Sequence, residues 1–300
     1  MNNISIVGID LTKSTFQLHG IDAQGQTRLT KKVSRAQLLK QSSKIPPCKI
    51  AMEACCGAYF SARAIQSLGH QVQLIPPQQL KPFVQRHKND ARDAQGIAEA
   101  AARPKTSSIA IKSEAQLDIQ ALHCIRERLI RERTAVANEL RCILAERRFV
   151  MATGIKALRQ EVARLIAQSE ALIPIIQRLV RDLLSQWQQR DEAVQHYDEQ
   201  LRLVARQDEA CQQLQSIPGI GIINATLLRC HAGNGAQYKT GRQFSASLGL
   251  VPRQHSSGDT PRLMGISKRG NRTVRKQLVH GARAAYRQFM RQPPNSRLVA

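Results

Sequence analysis

ISIVGID, from Ile4 to Asp10, reads as a β-strand that ends on an acid, and the segments around it take their meaning from that strand. FQLHGID (Phe16 to Asp22) and TRLTKKV (Thr27 to Val33) follow it across the turn-forming stretches LTKS and AQGQ, which predicts a three-strand meander. Two more apolar runs come next, KIAME ending at Glu53 and QVQLI ending at Ile75. A helical stretch from Tyr59 to Leu68 separates them, and Gly69 terminates it. Pro76 and Pro77 then break the chain before a helix expected from roughly Leu80 to Ala102.

The first hundred residues are read as β-β-β-α-β-α-β-α, the order of an RNase H-like α/β fold, which assigns residues 1–104 to one domain. From Ser113 onward the strand signal is gone. Leu122, Ile125, Leu129, Val136, Leu140 and Ile143 recur at helical spacing, which predicts a long helix. After a break at Gly154, Leu158, Val162 and Leu165, then Leu172, Ile176, Leu179, Leu183 and Trp187, step by threes and fours as a coiled-coil seam does. Residues 105–208 are therefore expected to form a helical coiled-coil linker, and 209–300 a third, all-α domain. That last region opens with QSIPGIGIINATLL, where Pro218, Gly219 and Gly221 interrupt two helical patterns. Backbone amides left free at such a helix start suit a phosphate, while a plain interhelical turn has the same composition.

The chain has 300 residues, enough for more than one core. Lys and Arg number 45 against 22 acids, a formal charge of +23 that calls for a polyanionic partner, DNA or RNA. No apolar run approaches the roughly 20 residues that cross a bilayer, and MNNISIVGID lacks a signal-peptide layout. A cytoplasmic, nucleoid-associated protein with no membrane partner is the expectation. The seven cysteines are odd in number and lack C-x-x-C spacing, so neither disulfides nor zinc is expected, and Cys55 and Cys56 read as packing residues. Beyond Asp259 no acid occurs. Arg262, Lys268, Arg269, Arg272, Arg275, Lys276, Arg283, Arg287, Arg291 and Arg297 form a one-sided run that points to phosphate contact.

The first hundred residues hold only six acids, Asp10, Asp22, Glu53, Asp90, Asp93 and Glu99. Asp10 and Glu53 end strands that an RNase H-like sheet places side by side. Asp90 and Asp93, three apart in NDARDA, share a helix face. Four converging carboxylates repel unless cations lie between them, and hard oxygen ligands suit Mg²⁺. Two such ions clamp the attacking and leaving oxygens of a phosphodiester, which makes phosphoryl transfer the expected chemistry. Taken singly, each acid has a plainer reading as a turn cap, a solvent-facing group or a partner for Arg86, Lys88 or Arg92.

GID with Asp10, AMEACCGAY with Glu53 and KNDARDAQGIAE with Asp90 and Asp93 resemble the DEDD motif of the insertion sequence 110 and 1111 transposases. IPGIG (Ile217 to Gly221), RQFSASLGLVPRQHSSG and SKRGNRTVRKQL from Ser267 resemble the second half of the same family, so the motifs run from Ile6 to about Tyr286. The resemblance implies an amino-terminal domain like the Holliday-junction resolvase RuvC, a helical linker and a carboxy-terminal transposase domain. It implies Mg²⁺ on the DEDD residues and a serine that becomes joined to DNA, matching Ser257 in HSSGDT with Ser256 as its neighbour. It further implies a structured guide RNA encoded by the mobile element, DNA at the element ends and target, and a homo-oligomer, dimer or tetramer. Family members commonly continue past the point where RQPPNSRLVA ends. Two other readings fit the residues: a RuvC-like junction nuclease that uses the four acids and no serine, and an inactive nucleic-acid-binding remnant of a mobile element.

Overall fold

The computed structural model describes residues 3–83, 89–168, 172–258 and 260–291, and the chain divides into two compact units, Met1–Ser113 and Glu114–Ala300. The first unit is mixed α/β. Strands β1 (Ile6–Leu11), β2 (Thr15–Ile21) and β3 (Thr27–Ser34) form the antiparallel meander; a short helix α1 (Leu38–Ser42), strand β4 (Lys49–Glu53), helix α2 (Ala58–Gln66) and strand β5 (Gln71–Ile75) follow. The five-stranded sheet has the order β3-β2-β1-β4-β5, with β4 parallel to both β1 and β5.

Strand residues two apart share a face, and this alternation sorts β1 and β4 cleanly. Val7, Ile9, Ile50 and Met52 are fully buried in a core with Phe16, Leu18, Ala58, Ala62, Ile65 and Leu74. The opposite face carries Gly8 and Ala51, residues with almost no side chain. Helix α3 (Pro77–Leu80) and helix α4 (Asp90–Ala102) follow β5, and α4 occupies the face that Gly8 and Ala51 leave open. Its Ile97, Ala100 and Ala101 pack with Ala51, Ile75 and Leu80. A Cβ added to Gly8 would lie 2.2 Å from the Ala94 carbonyl oxygen and 2.6 Å from the Ala98 nitrogen. At the far end of α4 the Lys49 ammonium donates to the Ala101 carbonyl at 2.6 Å, satisfying an acceptor that a helix end leaves without an intrahelical partner.

The single helix expected over Leu80 to Ala102 is not what forms. A 3₁₀ turn at Lys81–Phe83 follows α3, and α4 starts afresh at Asp90. Pro82 lacks the amide that continued helix needs. Asn89 starts the new one, because its side-chain oxygen accepts from the Ala91 amide at 2.9 Å.

The second unit is largely helical. Helix α5 (Glu114–Ala145), α6 (Ile155–Ala167) and α7 (Pro174–Gln207) precede α8 (Glu209–Gln215), α9 (Ile222–Ala232) and α10 (Gly241–Ser247). The region after residue 208 is not all-α as expected: a two-stranded hairpin, β6 (Pro252–Gln254) with β7 (Leu263–Ile266), leads into α11 (Arg272–Arg291), its strands too short and too exposed to show an alternating pattern. Arg126 pairs with Asp198 at 2.5 Å and Arg133 with Asp191 at 2.9 Å. These pairs step one heptad along α5 and one heptad back along α7, so the two helices are antiparallel. The seam of α7 is Ile176, Val180, Leu183, Trp187, Val194 and Leu201. Leu179, expected in it, is 44% exposed, since the step of four from Ile176 lands on Val180.

Helix α5 also reaches the helices after residue 208. The buried His123 lies 3.1 Å from the Thr226 hydroxyl oxygen. That hydroxyl gives its proton to the Ile222 carbonyl, so the imidazole Nε2–H is the donor. Burial holds His123 down at about 4, well below the usual histidine range. The sequence-based division into a linker over 105–208 and a domain over 209–300 gives no sign of these contacts. Among the described residues no helix is long and apolar enough to cross a membrane.

Gly8→Ala should lower stability by about 1–3 kcal/mol, the usual cost of forcing a methyl group into close-packed backbone. Urea unfolding followed by far-UV circular dichroism measures it, and an unchanged midpoint would show that α4 does not depend on the contact.

Candidate functional site

Asp10 follows Gly8 by two residues and Glu53 follows Ala51 by two, so both carboxylates sit on the α4 face of the sheet. The β1–β4 register runs from Ile6 opposite Lys49 to Ile9 opposite Met52, and its next step would set Asp10 beside Glu53. Because α4 runs from that end of the strands toward Lys49, its first turn meets Asp10. One carboxylate oxygen from each of Asp10, Asp90 and Asp93 lies within 4.8 Å of the others. Acids in a first helical turn are favourable in themselves, but that accounts for Asp90 and Asp93 and not for the approach of Asp10.

Glu53 stands outside the group of three. It remains close enough to act on Cys55, whose thiol is pushed up first by burial and then by the charges of Glu53 and Asp10. Of the two remaining acids in this unit, Asp22 accepts from the Gln24 and Gln26 amides and from Arg28 at 2.7 Å, tying the β2–β3 turn. Glu99 accepts from Gln95. The scarcity of acids pointed toward the cluster, and the two acids other than these four, Asp22 and Glu99, have hydrogen-bond partners elsewhere.

The donor set fits a hard divalent cation: three carboxylates, graded from half-buried Asp10 and Asp93 to exposed Asp90. Asp93 Oδ1 is buried with no hydrogen-bond partner among the described residues, a costly condition for an ionised oxygen that a bound cation would relieve.

In the second unit the PGIG turn is fixed by close approach. Gly219 adopts φ +87°, and a Cβ there would lie 2.6 Å from the Gly281 carbonyl oxygen. Asn224 donates to the Gly219 and Gln277 carbonyls, so the turn is held against α11. Gly221 is the N-cap of α9 and offers no side-chain cap. Its amide end opens on a cleft of about 340 Å³ lined by Arg126, Arg202, Gln277 and His280 among others. Asn224 and Gly281 hold this turn in place, and sequence reasoning missed both; a small residue in an otherwise regular amphipathic helix was the available signal for Gly281.

Ser257 lies in the loop of the β6–β7 hairpin, exposed and bridged to Thr260. The Ser256 hydroxyl oxygen accepts from the Arg262 amide at 3.1 Å and the Gln254 side chain at 3.0 Å. Ser267 Oγ accepts from the Arg269 amide. Two of the three serines thus hold local backbone, while Ser257 shows no side-chain hydrogen bond among the described residues.

The basic run is not uniform. Arg262, Lys268, Arg269 and Arg272 are exposed, whereas the Arg275 guanidinium donates to the Leu248 carbonyl at 2.7 Å. Lys276 pairs with Glu127 of α5 at 2.5 Å. An acid from outside the tail therefore engages one of the cations expected to face phosphate. Arg297 lies outside the described residues, as do Arg86 and Lys88.

Residues 211–296 match the family described as Transposase IS116/IS110/IS902 family, and residues 7–148 match the IS110 DEDD family, described as Transposase. The chain is 43% identical over 288 residues to the transposase for insertion sequence element IS1111A of Coxiella burnetii, covering 96% of this chain and 79% of the relative. It is 41% identical over 283 residues to the transposase for insertion sequence element IS1328 of Yersinia enterocolitica, covering 94% and 84%. A probable family 20 transposase of Pseudomonas aeruginosa is 40% identical over 287 residues, covering 95% and 85%. Among solved structures, T. thermophilus RuvC in complex with Holliday junction substrate is similar over 32% of this chain and 90% of that one, at 15% identity and a TM-score of 0.27.

Two outcomes follow from this geometry. Mg²⁺ should raise the thermal midpoint of the wild-type protein. Asp10→Asn should raise the midpoint in chelator, by relieving carboxylate repulsion, and abolish the Mg²⁺ response; a full response in the variant would remove Asp10 from the site. Neutralising Arg262, Arg269 and Arg272 together should flatten the slope of log affinity for duplex DNA against log salt by roughly 2 to 3. Neutralising Lys276 alone should leave the slope nearly unchanged and lower stability instead. A slope that responds only to Lys276 would reverse the assignment.

Proposed function

This chain belongs to the IS116/IS110/IS902 family of transposases, and on that premise we propose that it cuts and rejoins DNA strands with a Mg²⁺-binding carboxylate site and a serine nucleophile. The observation that carries the proposal is the convergence of Asp10, Asp90 and Asp93 within 4.8 Å at the start of α4. Glu53 completes the DEDD set from the neighbouring strand end. The sheet order β3-β2-β1-β4-β5 supports an RNase H-like, RuvC-like domain around it.

The four carboxylates would hold the metal; a divalent cation bound there supplies charge stabilisation at the transferred phosphate. Ser257 is the nucleophile in this reading, supported by its exposure and by the local bonds that engage Ser256 and Ser267. As its Oγ bonds to phosphorus, the bond from phosphorus to the departing sugar oxygen breaks. The serine proton passes to solvent and the departing sugar oxygen takes a proton from solvent, so the step conserves protons and charge. A serine ester keeps the energy of the broken strand for religation, which attack by water would lose. The reading requires the serine of one chain, or of another copy in a homo-oligomer, to reach the carboxylates.

Positioning of the DNA backbone falls to the amides at Gly219 and Gly221 and to the exposed arginines and Lys268, consistent with a formal charge of +23. A structured guide RNA, as in the family this chain resembles, is a second polyanion that the same charge accommodates.

Protein incubated with Mg²⁺, copurifying RNA and end-labelled DNA should give a denaturant-stable, protease-sensitive adduct. Ser257→Ala should remove it, while Ser256→Ala, which loses only a hairpin contact, should retain most of it. An adduct that persists in Ser257→Ala, or efficient wild-type cleavage with no adduct under any quench, would favour a hydrolytic junction nuclease.

A further inference from the structure

Helix α11 is anchored chiefly along its first half, and beyond it Ala285 approaches Gly219. Val274 is buried, Leu278 packs beside it, and Gly281 lies against the PGIG turn. From Ala282 onward every described residue except half-buried Ala285 is exposed, a free length of about 15 Å at 1.5 Å per residue. That free length is strongly two-sided. Ala282, Ala285, Tyr286, Phe289 and Met290 fall on one arc at helical spacing, with Tyr286 63%, Phe289 43% and Met290 63% exposed. Arg283, Arg287 and Arg291 form a row at i, i+4 and i+8 directly beside Tyr286 and Met290. Like charges at that spacing weaken an isolated helix, and no acid occurs anywhere after Asp259 to offset them.

We infer that the end of α11 is a stacking platform for an unpaired DNA strand, with Tyr286 and Phe289 receiving base faces and the arginine row tracking the phosphates. The inference rests on the proposed DNA-cutting activity, which supplies the substrate class. The arginines are spaced about 6 Å apart along the axis, comparable to the step between phosphates of an extended strand. An arginine row alone would serve a duplex equally. Two exposed aromatic rings at i and i+3 would not, because bases in a duplex already stack on one another and only unpaired bases offer a free face. The chain has only 11 aromatic residues (Trp 1, Tyr 4, Phe 6), so an exposed pair beside three arginines is a strong compositional departure. A second copy of the helix is the less suitable occupant: ridge-to-ridge docking would set two arginine rows alongside each other with no carboxylate on either. DNA is preferred to RNA because the family's named activity is transposition.

The test measures fluorescence anisotropy of the full chain with labelled oligothymidylate, a duplex of equal length and oligouridylate, all in chelator so that cleavage plays no part. Tyr286→Ala with Phe289→Ala should weaken oligothymidylate binding at least about fivefold and leave duplex affinity and far-UV circular dichroism unchanged. Tyr286→Leu with Phe289→Leu, which keeps the apolar surface without the rings, should weaken it comparably. Arg283, Arg287 and Arg291 changed together to Gln should weaken single strand and duplex alike. Equal losses for single strand and duplex in the Ala variant, full affinity in the Leu variant, or tighter binding of oligouridylate than oligothymidylate would each overturn the inference. So would loss of self-association in the Ala variant, which would make the ridge a subunit contact, or a preference for anionic vesicles over either oligonucleotide. Failure here with the Ser257 adduct still forming would sink the platform and leave the proposed function standing.

Discussion

Everything at the candidate metal site depends on how closely α4 lies on the sheet. Gly8 lets the helix backbone come nearer than any side chain would permit, and Ala51 continues that flat face on the neighbouring strand. Strand alternation then does the rest. The residues two positions beyond Gly8 and Ala51 must be on the same face and at the end of the sheet where α4 begins, and those residues are Asp10 and Glu53. A bulkier residue at position 8 would lift the helix and carry Asp90 and Asp93 away from Asp10. Packing and chemistry are therefore one constraint in this unit, exerted through the absence of a side chain.

A comparable device fixes the serine-bearing hairpin. Gly249 and Gly270 both adopt positive φ, and a Cβ on either would collide with backbone, at Arg269 and Ser247 respectively. The two loops interlock, with the Lys268 amide donating to the Gly249 carbonyl and the Ser267 amide to that of Val251. The base of the hairpin is thus rigid although its strands are exposed on both faces. Ser256 pins the loop from within, whereas Ser257 beside it shows no side-chain hydrogen bond among the described residues.

Charge is divided along similar lines. The helices between residues 114 and 207 use Asp191, Asp198, Glu127 and Glu132 in pairs with arginine or lysine from other helices, which sets the register of α5 against α7 and ties α11 to α5. Such part-buried pairs contribute orientation more than net stability. Ten of the 45 lysines and arginines follow the last acid, Asp259, several of them on the exposed loop around Arg269 and on the end of α11, while residues 1–113 carry sixteen more against six acids.

The sequence alone determined the five strands of the first unit, the broad mixed α/β and helical classes, the scarcity of acids and the basic tail, because alternation, helical period and composition are local properties; the short, fully exposed strands β6 and β7 carry no such alternation and were not legible. The family motifs were legible for the same reason. The tertiary structure decided the rest. It placed Asp10, Asp90 and Asp93 in one group with Glu53 just outside, a matter of register and helix approach that spacing does not encode. It began α4 at Asp90, because Pro82 stops one helix and the Asn89 side chain starts another. It put Val180 in the seam in place of Leu179, since both fit a three-or-four step and only the partner helix distinguishes them. It paired Lys276, one of the cations expected to face phosphate, with Glu127 from 149 residues away, a contact no local pattern can announce because electrostatic pairing depends on distance in space.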